Sequence, residues 1–136
     1  MRMFALAPDQ VAQTWPDYCE LIEAFERRGD LKAEQVREEA IAGKLQIWGL
    51  QDESKVHGIV ATQIMDTARG YVCEIPLAVG NAPVGFQKRL LEEIGKWARD
   101  EQRCVAVRMQ GRKGWLRRFP YFRPTGVVAE WNLRAN

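Results

Sequence analysis

The chain of 136 residues is 46% hydrophobic and 28% charged and has a formal net charge of +2, which predicts one soluble domain over residues 1–136 and disfavours nucleic acid as the main partner. Its three cysteines are scattered without a C-x-x-C pair and its only histidine is His57, so we expect reduced thiols and no metal site. No window reaches the roughly 18 apolar residues of a membrane span, and the expected location is the cytoplasm.

The first third of the chain predicts a strand followed by two helices. Residues 3–7 are a short apolar run, and Pro8 marks the start of a helical region. Pro16 divides that region into a short turn and a main helix, whose apolar residues recur at helical spacing until Gly29 ends it. A second helix is expected over residues 33–43.

The remainder predicts strands joined by hairpins and then by helices. The strands and helices expected here are, in chain order, strands over 45–50, 56–65 and 71–79, a long helix after the break at 80–83, a strand over 103–109, a short basic helix over 111–119 and a closing strand over 126–134. This order indicates an α/β fold of the mixed α+β kind. We expect a central, twisted, mostly antiparallel but mixed sheet of about six or seven strands, with helices on both faces.

That order of elements resembles the GNAT superfamily of N-acetyltransferases over nearly the whole chain, about residues 3–134. The resemblance implies the GNAT-like fold and the use of acetyl-coenzyme A without a metal. In the family, a loop reading Q/R-x-x-G-x-G/A holds the pyrophosphate of acetyl-coenzyme A where the long helix begins. Residues 82–87 stand at that place when Leu90 and Leu91 are matched to the family's paired leucines.

The loop departs from the family pattern at two positions. Gly85 matches, but Ala82 stands where Gln or Arg is usual, and Gln87 stands where a small residue is usual. Backbone N–H groups at a helix N-terminus bind anions whatever their side chains, so the resemblance assigns the diphosphate to Val84, Gly85, Phe86, Gln87 and Lys88. The alternative is a plain strand–helix connection in which Phe86 and Gln87 crowd the approach.

The strand before this loop resembles the histone-acetyltransferase branch of the family, which carries a glutamate general base. Glu74 stands at that position, and an amine must lose its proton before it can attack a thioester. The resemblance assigns the neighbouring backbone amides of Leu77, Ala78 and Val79 to polarisation of the thioester carbonyl. Alternatively, Glu74 is an exposed strand residue or pairs with a nearby arginine.

Pro76, in the same strand, cannot donate a ladder hydrogen bond. It predicts either the splay between strands at which the family binds the pantetheine arm, or a simple β-bulge.

A tyrosine near the end of the chain is the third feature to compare with the family, where it protonates the departing thiolate. That tyrosine would fall near Arg118 or Phe119, and Tyr121 comes two or three residues later. Tyr121 is therefore the candidate general acid, with a packed aromatic as the alternative.

Basic and aromatic residues interleave over residues 112–123. This pattern suits phosphate contacts and base stacking, the 3′-phosphate of coenzyme A, or an acidic protein partner. An amphipathic helix with Trp115 and Phe119 buried is the simplest interpretation.

Three functions follow from these residues, in this order. The first is an acetyl-coenzyme A-dependent N-acyltransferase acting on a small-molecule or peptide amine. The second is an inactive GNAT-fold protein used for binding or assembly, with a protein partner or as a homo-oligomer. Short GNAT-like chains also occur in bacteriophages, and if this chain is encoded by a bacteriophage, we expect it to be a virion component. The third is a nucleic-acid-binding module, which rests on the basic segment alone.

Overall fold

The computed structural model of the chain describes residues 1–26, 31–110, 114–126 and 129–134. Five strands are present in that part of the chain, namely β1 (Arg2–Leu6), β2 (Gln46–Gln51), β3 (Val56–Thr67), β4 (Gly70–Gly80) and β5 (Ala106–Met109). Five helices accompany them, namely α1 (Pro8–Thr14), α2 (Cys19–Glu26), α3 (Ala33–Ile41), α4 (Val84–Asp100) and α5 (Gly114–Arg118). A 3-10 turn, Trp15–Asp17, separates α1 from α2, as the proline at position 16 predicts.

The five strands form one mixed sheet in the order β1-β2-β3-β4-β5. The first four strands pair antiparallel, and β5 joins β4 in parallel after the crossover through α4. The mixed, mostly antiparallel sheet and the fold class are confirmed, with fewer strands than the sequence indicates. The number of strands differs because of the closing strand expected over 126–134, whose described residues lie in no strand.

Some sequence expectations fall outside the described residues. These are the helix-ending Gly29, the first residues of the basic helix (Gly111, Arg112 and Lys113), and Val127 with Val128 of the expected closing strand. Among the described residues, no helix combines the length and apolarity that crossing a membrane requires.

Two apolar cores lie on the two faces of the sheet. The first core packs α1, α2 and α3 against one face, and its fully buried side chains include Val11, Tyr18, Ile22, Val36, Ile47, Ile59 and Leu77. The second core packs α4 and α5 against the other face, and includes Leu50, Cys73, Ile75, Leu90, Ile94 and Phe119. The helices therefore cover both faces, as expected.

Local sequence accounts for the start of α1 and for the turn between β3 and β4. Pro8 takes the first helical position of α1, and the side chain of Gln10 accepts a hydrogen bond from the N–H of Ala7 at 2.8 Å. Between β3 and β4, a two-residue turn joins Thr67 to Gly70, and the φ angle of Gly70 is +120°. Glycine adopts this conformation without the steric cost that other residues incur, and this fixes the hairpin register.

Candidate active site

The β4 and β5 strands pair only over the first part of β4. Their parallel ladder ends where Ile75 pairs with Met109. Beyond that pair, β4 continues to Gly80 with β3 as its only partner among the described residues. The parallel ladder therefore ends at Ile75, and none of the described residues forms a strand ladder with residues 76–80 of β4 on the side of β5. These residues include Leu77, Ala78 and Val79.

A β-bulge stands at the point where the β4–β5 ladder ends. Thr62 of β3 faces two residues of β4, Ile75 and Pro76. Ile75 consequently packs into the second core, whereas Leu77, two residues later, packs into the first. Regular alternation would put both on one face. Pro76 lies at this irregularity, one residue beyond the last pair of the β4–β5 ladder, so the β-bulge that its missing N–H predicts is present, and the splay that would bind the pantetheine arm stays a prediction.

Gly80 directs the chain from β4 towards α4. Its φ is +125°, and a Cβ built there would lie 2.2 Å from the carbonyl oxygen of His57. The next residue, Asn81, donates its N–H to the same oxygen at 3.1 Å. Only glycine permits this close approach of β4 to β3, so the sequence Gly80–Asn81 sets the place where α4 begins.

The N-terminus of α4 has no side-chain cap. Pro83 is the N-cap residue, and its carbonyl oxygen accepts hydrogen bonds from the N–H groups of Phe86 and Gln87 at 3.0 and 3.1 Å. The N–H groups of Val84 and Gly85 belong to the first turn, where a helix offers no partner of its own. A Cβ on Gly85 would meet nothing within 4 Å, so the position that a Gly85 side chain would take is open.

The side chains of Phe86 and Gln87, which crowd the approach in the alternative interpretation, make their contacts elsewhere. Phe86 is half-buried and packs against the second core. Gln87 turns back, so that its Nε2 donates to the carbonyl oxygen of Ala82 and its Oε1 accepts from Arg118 at 3.3 Å. Ala82 is itself buried in the second core, and Lys88 is exposed. These contacts favour the loop interpretation over the alternative in which Phe86 and Gln87 crowd the approach, and the diphosphate role stays a prediction.

Glu74 forms an ion pair across the last part of the β4–β5 ladder. Its Oε2 accepts a hydrogen bond from Nη2 of Arg108 at 2.7 Å, and the two residues are partners in the ladder. Cys73 and Ile75 on either side of Glu74 belong to the second core, so Glu74 lies on the face of the first core. The pair is one residue before the end of the ladder, and both side chains are partly exposed.

Arg108 is the site residue that sequence reasoning did not name, although an arginine partner for Glu74 was one expected alternative. Its identity depends on the parallel register of β4 and β5, which no local pattern reveals. The alternation of residues 106–109 could have predicted the face on which Arg108 lies. Val107 and Met109 pack against the second core and leave Arg108 on the other face.

Tyr121 lies on the other side of the sheet from Glu74. Its ring is half exposed and packs against Phe119 and Phe122, with ring centroids 6.2 and 5.4 Å apart. Together with Leu91, Glu92, Gly95 and neighbouring residues it lines a groove of about 500 Å³ along α4. Partial burial raises the pKa of the Tyr121 hydroxyl, and the nearby Glu92 raises it further. The structure therefore does not bring Tyr121 and Glu74 to the same face.

No model of a protein family matches the sequence, and no curated protein does either. Solved structures match it throughout. An aminoglycoside acetyltransferase from an uncultured soil metagenomic sample is 14% identical, with 98% of this chain and 96% of that chain covered and a TM-score of 0.73. Glucosamine-6-phosphate N-acetyltransferase from Arabidopsis thaliana is 13% identical, with 97% of both chains covered and a TM-score of 0.71. Ribosomal-protein-alanine N-acetyltransferase from Brucella melitensis is 9% identical, with 100% and 99% covered and a TM-score of 0.65. The chain has the GNAT fold.

Within this GNAT fold, the basic segment adopts the amphipathic arrangement expected from its spacing. Phe119 is fully buried in the second core and Trp115 packs against it, with ring centroids 4.9 Å apart. Arg117 and Arg118 are exposed. The helix α5 therefore packs against the core through Trp115 and the following Phe119, while Arg117 and Arg118 are exposed and Arg118 contacts Gln87 near the N-terminus of α4.

Proposed function

We propose that the chain is an acetyl-coenzyme A-dependent N-acyltransferase of the GNAT type, acting on an amine of a small molecule or a peptide. The observation that carries this proposal is the end of the β4–β5 ladder at Ile75, five residues before β4 ends and the chain leads to the uncapped N-terminus of α4. The neighbours in fold add support, since each is named as an acetyltransferase and two are named as N-acetyltransferases.

The residues at the start of α4 fit a diphosphate. The backbone amides of residues 84–88 lie at the positive end of the helix dipole, those of Val84 and Gly85 have no partner within the helix, and Gly85 brings no side chain to the site. Lys88 is exposed in the same turn and adds a positive charge. On the side of β5, residues 76–80 offer backbone groups to an extended amide-containing arm.

Acetyl-coenzyme A supplies the acetyl group to such a site, and the chain supplies proton transfer and polarisation. Glu74 accepts the proton of the attacking amine, because only the neutral amine carries a free electron pair. Arg108 holds the Glu74 carboxylate by the 2.7 Å hydrogen bond and thereby fixes its direction. The backbone amides of Leu77, Ala78 and Val79 polarise the thioester carbonyl.

Tyr121 is the proposed proton donor to the departing thiolate. A tyrosine hydroxyl, with an ordinary pKa of about 10, is protonated at neutral pH, and burial raises the pKa of Tyr121 further. Since the ring lies beside α4, this role requires the turn at Pro120 to move towards the end of β4. Tyr121→Phe leaves the ring contacts in place and isolates the hydroxyl.

Two glycines of the same helix provide a matched test of binding. Gly85 and Gly95 both lie in α4, and an added Cβ meets nothing within 4 Å at either position. Alanine at either one should stabilise the fold by about 0.5–1 kcal/mol, as glycine-to-alanine changes in helices do. We expect Gly85→Ala to weaken acetyl-coenzyme A binding at least about tenfold and Gly95→Ala to leave it unchanged.

Isothermal titration calorimetry with acetyl-coenzyme A measures this difference. Acetyl-pantetheine, which lacks the diphosphate, serves as the ligand control and should bind equally to both variants. Absence of wild-type binding at millimolar ligand, or equal affinity of the two variants, contradicts the assignment of α4 to the diphosphate.

The chemical roles are tested separately by turnover with a panel of amines. Glu74→Gln should abolish turnover while acetyl-coenzyme A binding persists. Arg108→Gln should lower turnover less, because the carboxylate remains but loses its orientation. Unchanged turnover in Glu74→Gln excludes Glu74 as the base.

A second candidate function is a catalytically inactive GNAT-fold binding or assembly protein. The observation that favours it is the separation of Glu74, paired with Arg108, from Tyr121 on the opposite side of the sheet. This function predicts that acetyl-coenzyme A binding, if measured, is accompanied by no turnover in any variant.

A further inference from the structure

The ion pair of Glu74 and Arg108 is accessible to solvent, although both residues lie in the sheet. Their side chains are 24% and 42% exposed, and the 2.7 Å hydrogen bond joins Oε2 of Glu74 to Nη2 of Arg108. Among the described residues, neither side chain has a second hydrogen-bond partner. A guanidinium has five N–H donors and a carboxylate has two acceptor oxygens, so the pair retains groups that can bind a ligand.

The residues on either side of Glu74 give this pair a direction. In the β3–β4 ladder the partner of Glu74 is Gln63, and in the β4–β5 ladder it is Arg108. Ladder partners project from the same face of the sheet, so an amide, a carboxylate and a guanidinium stand in one row across three strands. Gln63 is uncharged, and an anionic group that binds beside Glu74 is therefore attracted to the β5 side, where Arg108 lies.

The zwitterion of an α-amino acid has charges complementary to this pair. Its amino and carboxylate groups are bonded to the same carbon atom, so they stay close together, as the paired side chains of Glu74 and Arg108 do. With the amino group at Glu74 and the carboxylate at Arg108, two charge-assisted contacts form at once. The planar fork of an arginine suits a carboxylate, to which it donates two parallel hydrogen bonds.

We propose that the acceptor is a free α-amino acid, whose carboxylate binds Arg108 while Glu74 takes a proton from its amino group. The inference rests on the function proposed above and adds the class of substrate. The neutral amino group attacks the acetyl carbonyl carbon, so an N–C bond forms and the C–S bond of the thioester breaks. One amine proton passes to Glu74, the sulfur leaves as a thiolate and takes up a proton, and the products are an N-acetyl amino acid and coenzyme A.

Turnover with matched acceptors tests this class of substrate. Each common amino acid is compared with its amide and with the amine that lacks the carboxylate, for example leucine, leucinamide and isopentylamine. A hydrogen bond to a charged group is stronger than one between neutral groups, so we expect kcat/KM for the wild-type protein to be at least about tenfold higher for the preferred free acid than for its amide or amine.

Substitution of Arg108 tests which residue provides this preference. Arg108→Gln should reduce the preference for the free acid at least about tenfold relative to the wild type, mainly through KM, whereas Arg108→Lys keeps the charge and should restore part of it. Because the same acceptors are compared in each protein, differences between the acceptors in amine pKa cancel. Any loss of Glu74 orientation affects all acceptors alike.

Arg99→Gln is the matched control. Arg99 is also paired with a carboxylate, that of Asp100 at 2.8 Å, and it lies in α4, which packs on the other face of the sheet. The substitution changes the charge by the same amount and should keep the wild-type preference.

The outcomes separate this inference from the proposed function. Turnover of amides or simple amines as efficient as that of the free acids overturns the inference while the acyltransferase function stands, and equal use of the amides would indicate a peptide N-terminus as the acceptor. An Arg108→Gln variant that keeps the wild-type preference also overturns it. Absence of turnover with every acceptor contradicts the proposed function itself, and the inference falls with it.

Discussion

Gly80 ends β4 in a backbone conformation that residues other than glycine rarely adopt. The substitution Gly80→Ala tests how much this conformation contributes to the stability of the fold. At φ +125°, the added Cβ would lie 2.2 Å from the carbonyl oxygen of His57 and 2.6 Å from Cα of Gly58. Both neighbours are backbone atoms of β3, so no side-chain rotation relieves the overlap. The strand pair must open, or the chain must change its path before Asn81.

The cost has two parts. A non-glycine residue held in such a region of φ costs about 1–3 kcal/mol. Displacing the paired backbone adds to this, and we expect a total loss of about 3–4 kcal/mol in the free energy of unfolding, near the upper end for single substitutions. For a domain of this length, each kcal/mol lowers the melting temperature by about 4 °C, so the expected decrease is at least about 10 °C.

Thermal unfolding followed by circular dichroism measures this change, and Gly58→Ala is the matched control. Gly58 is the ladder partner of Gly80, but its added Cβ would meet Val79 O at 3.5 Å and Ala82 Cβ at 3.9 Å, which are ordinary contacts. That variant should stay within about 1 kcal/mol of the wild type. If the two variants melt within a few degrees of each other, the reasoning about Gly80 is wrong.

Three further substitutions or treatments have defined outcomes. Phe119→Ala removes a fully buried ring from the second core and should cost about 3–5 kcal/mol in urea unfolding, whereas Leu116→Ala on the exposed side of α5 should cost under about 1 kcal/mol; equal costs would show that α5 is not docked through Phe119. The Asp52 carboxylate accepts hydrogen bonds from the side chain and N–H of Ser54, from His57 and from the N–H of Lys55, which hold its pKa well below the usual range. Since the folded pKa lies below the unfolded value of about 3.9, this stabilisation is complete above about pH 5 and is lost as the pH falls below about 4, so the difference in urea midpoint between wild type and Asp52→Asn should shrink from pH 6 to pH 3. Burial raises the pKa of the Cys73 thiol to about 12, so mass mapping at pH 8 should find Cys73 labelled by a thiol reagent only after unfolding, and rapid labelling of native protein would contradict its burial.

The local patterns of the sequence are sufficient for most of the fold. Proline at position 8, the turn before Gly70 and the apolar spacing of α4 each act within a few residues, and the elements they predict are present. The expected strand over 126–134 is wrong for its described residues. Alternation shows that a segment suits a sheet, but it does not specify which edge the segment pairs with, and pairing depends on distant parts of the chain.

The site was harder to predict, because its decisive contacts are long-range. Gln87 looked like an obstacle in the phosphate loop, yet its side chain is drawn aside by the carbonyl of Ala82 and by Arg118, which is 31 positions later. Glu74 lies in β4, and its role as general base stays a prediction. Its partner Arg108 lies across a crossover, 34 positions away, and only the register of the parallel strands brings the two together.

Pro76 is the extra residue of the β-bulge, and the packing of the two cores does not depend on it. If it were deleted, Ile75 would stand directly opposite Thr62, and Leu77 would keep its partner Ala61, so every side chain would remain on its present face. A shorter β4 would thus form a smoother ladder with the same two cores. The effect of the extra residue is confined to the end of the β4–β5 ladder, where it places a residue that has no N–H to donate.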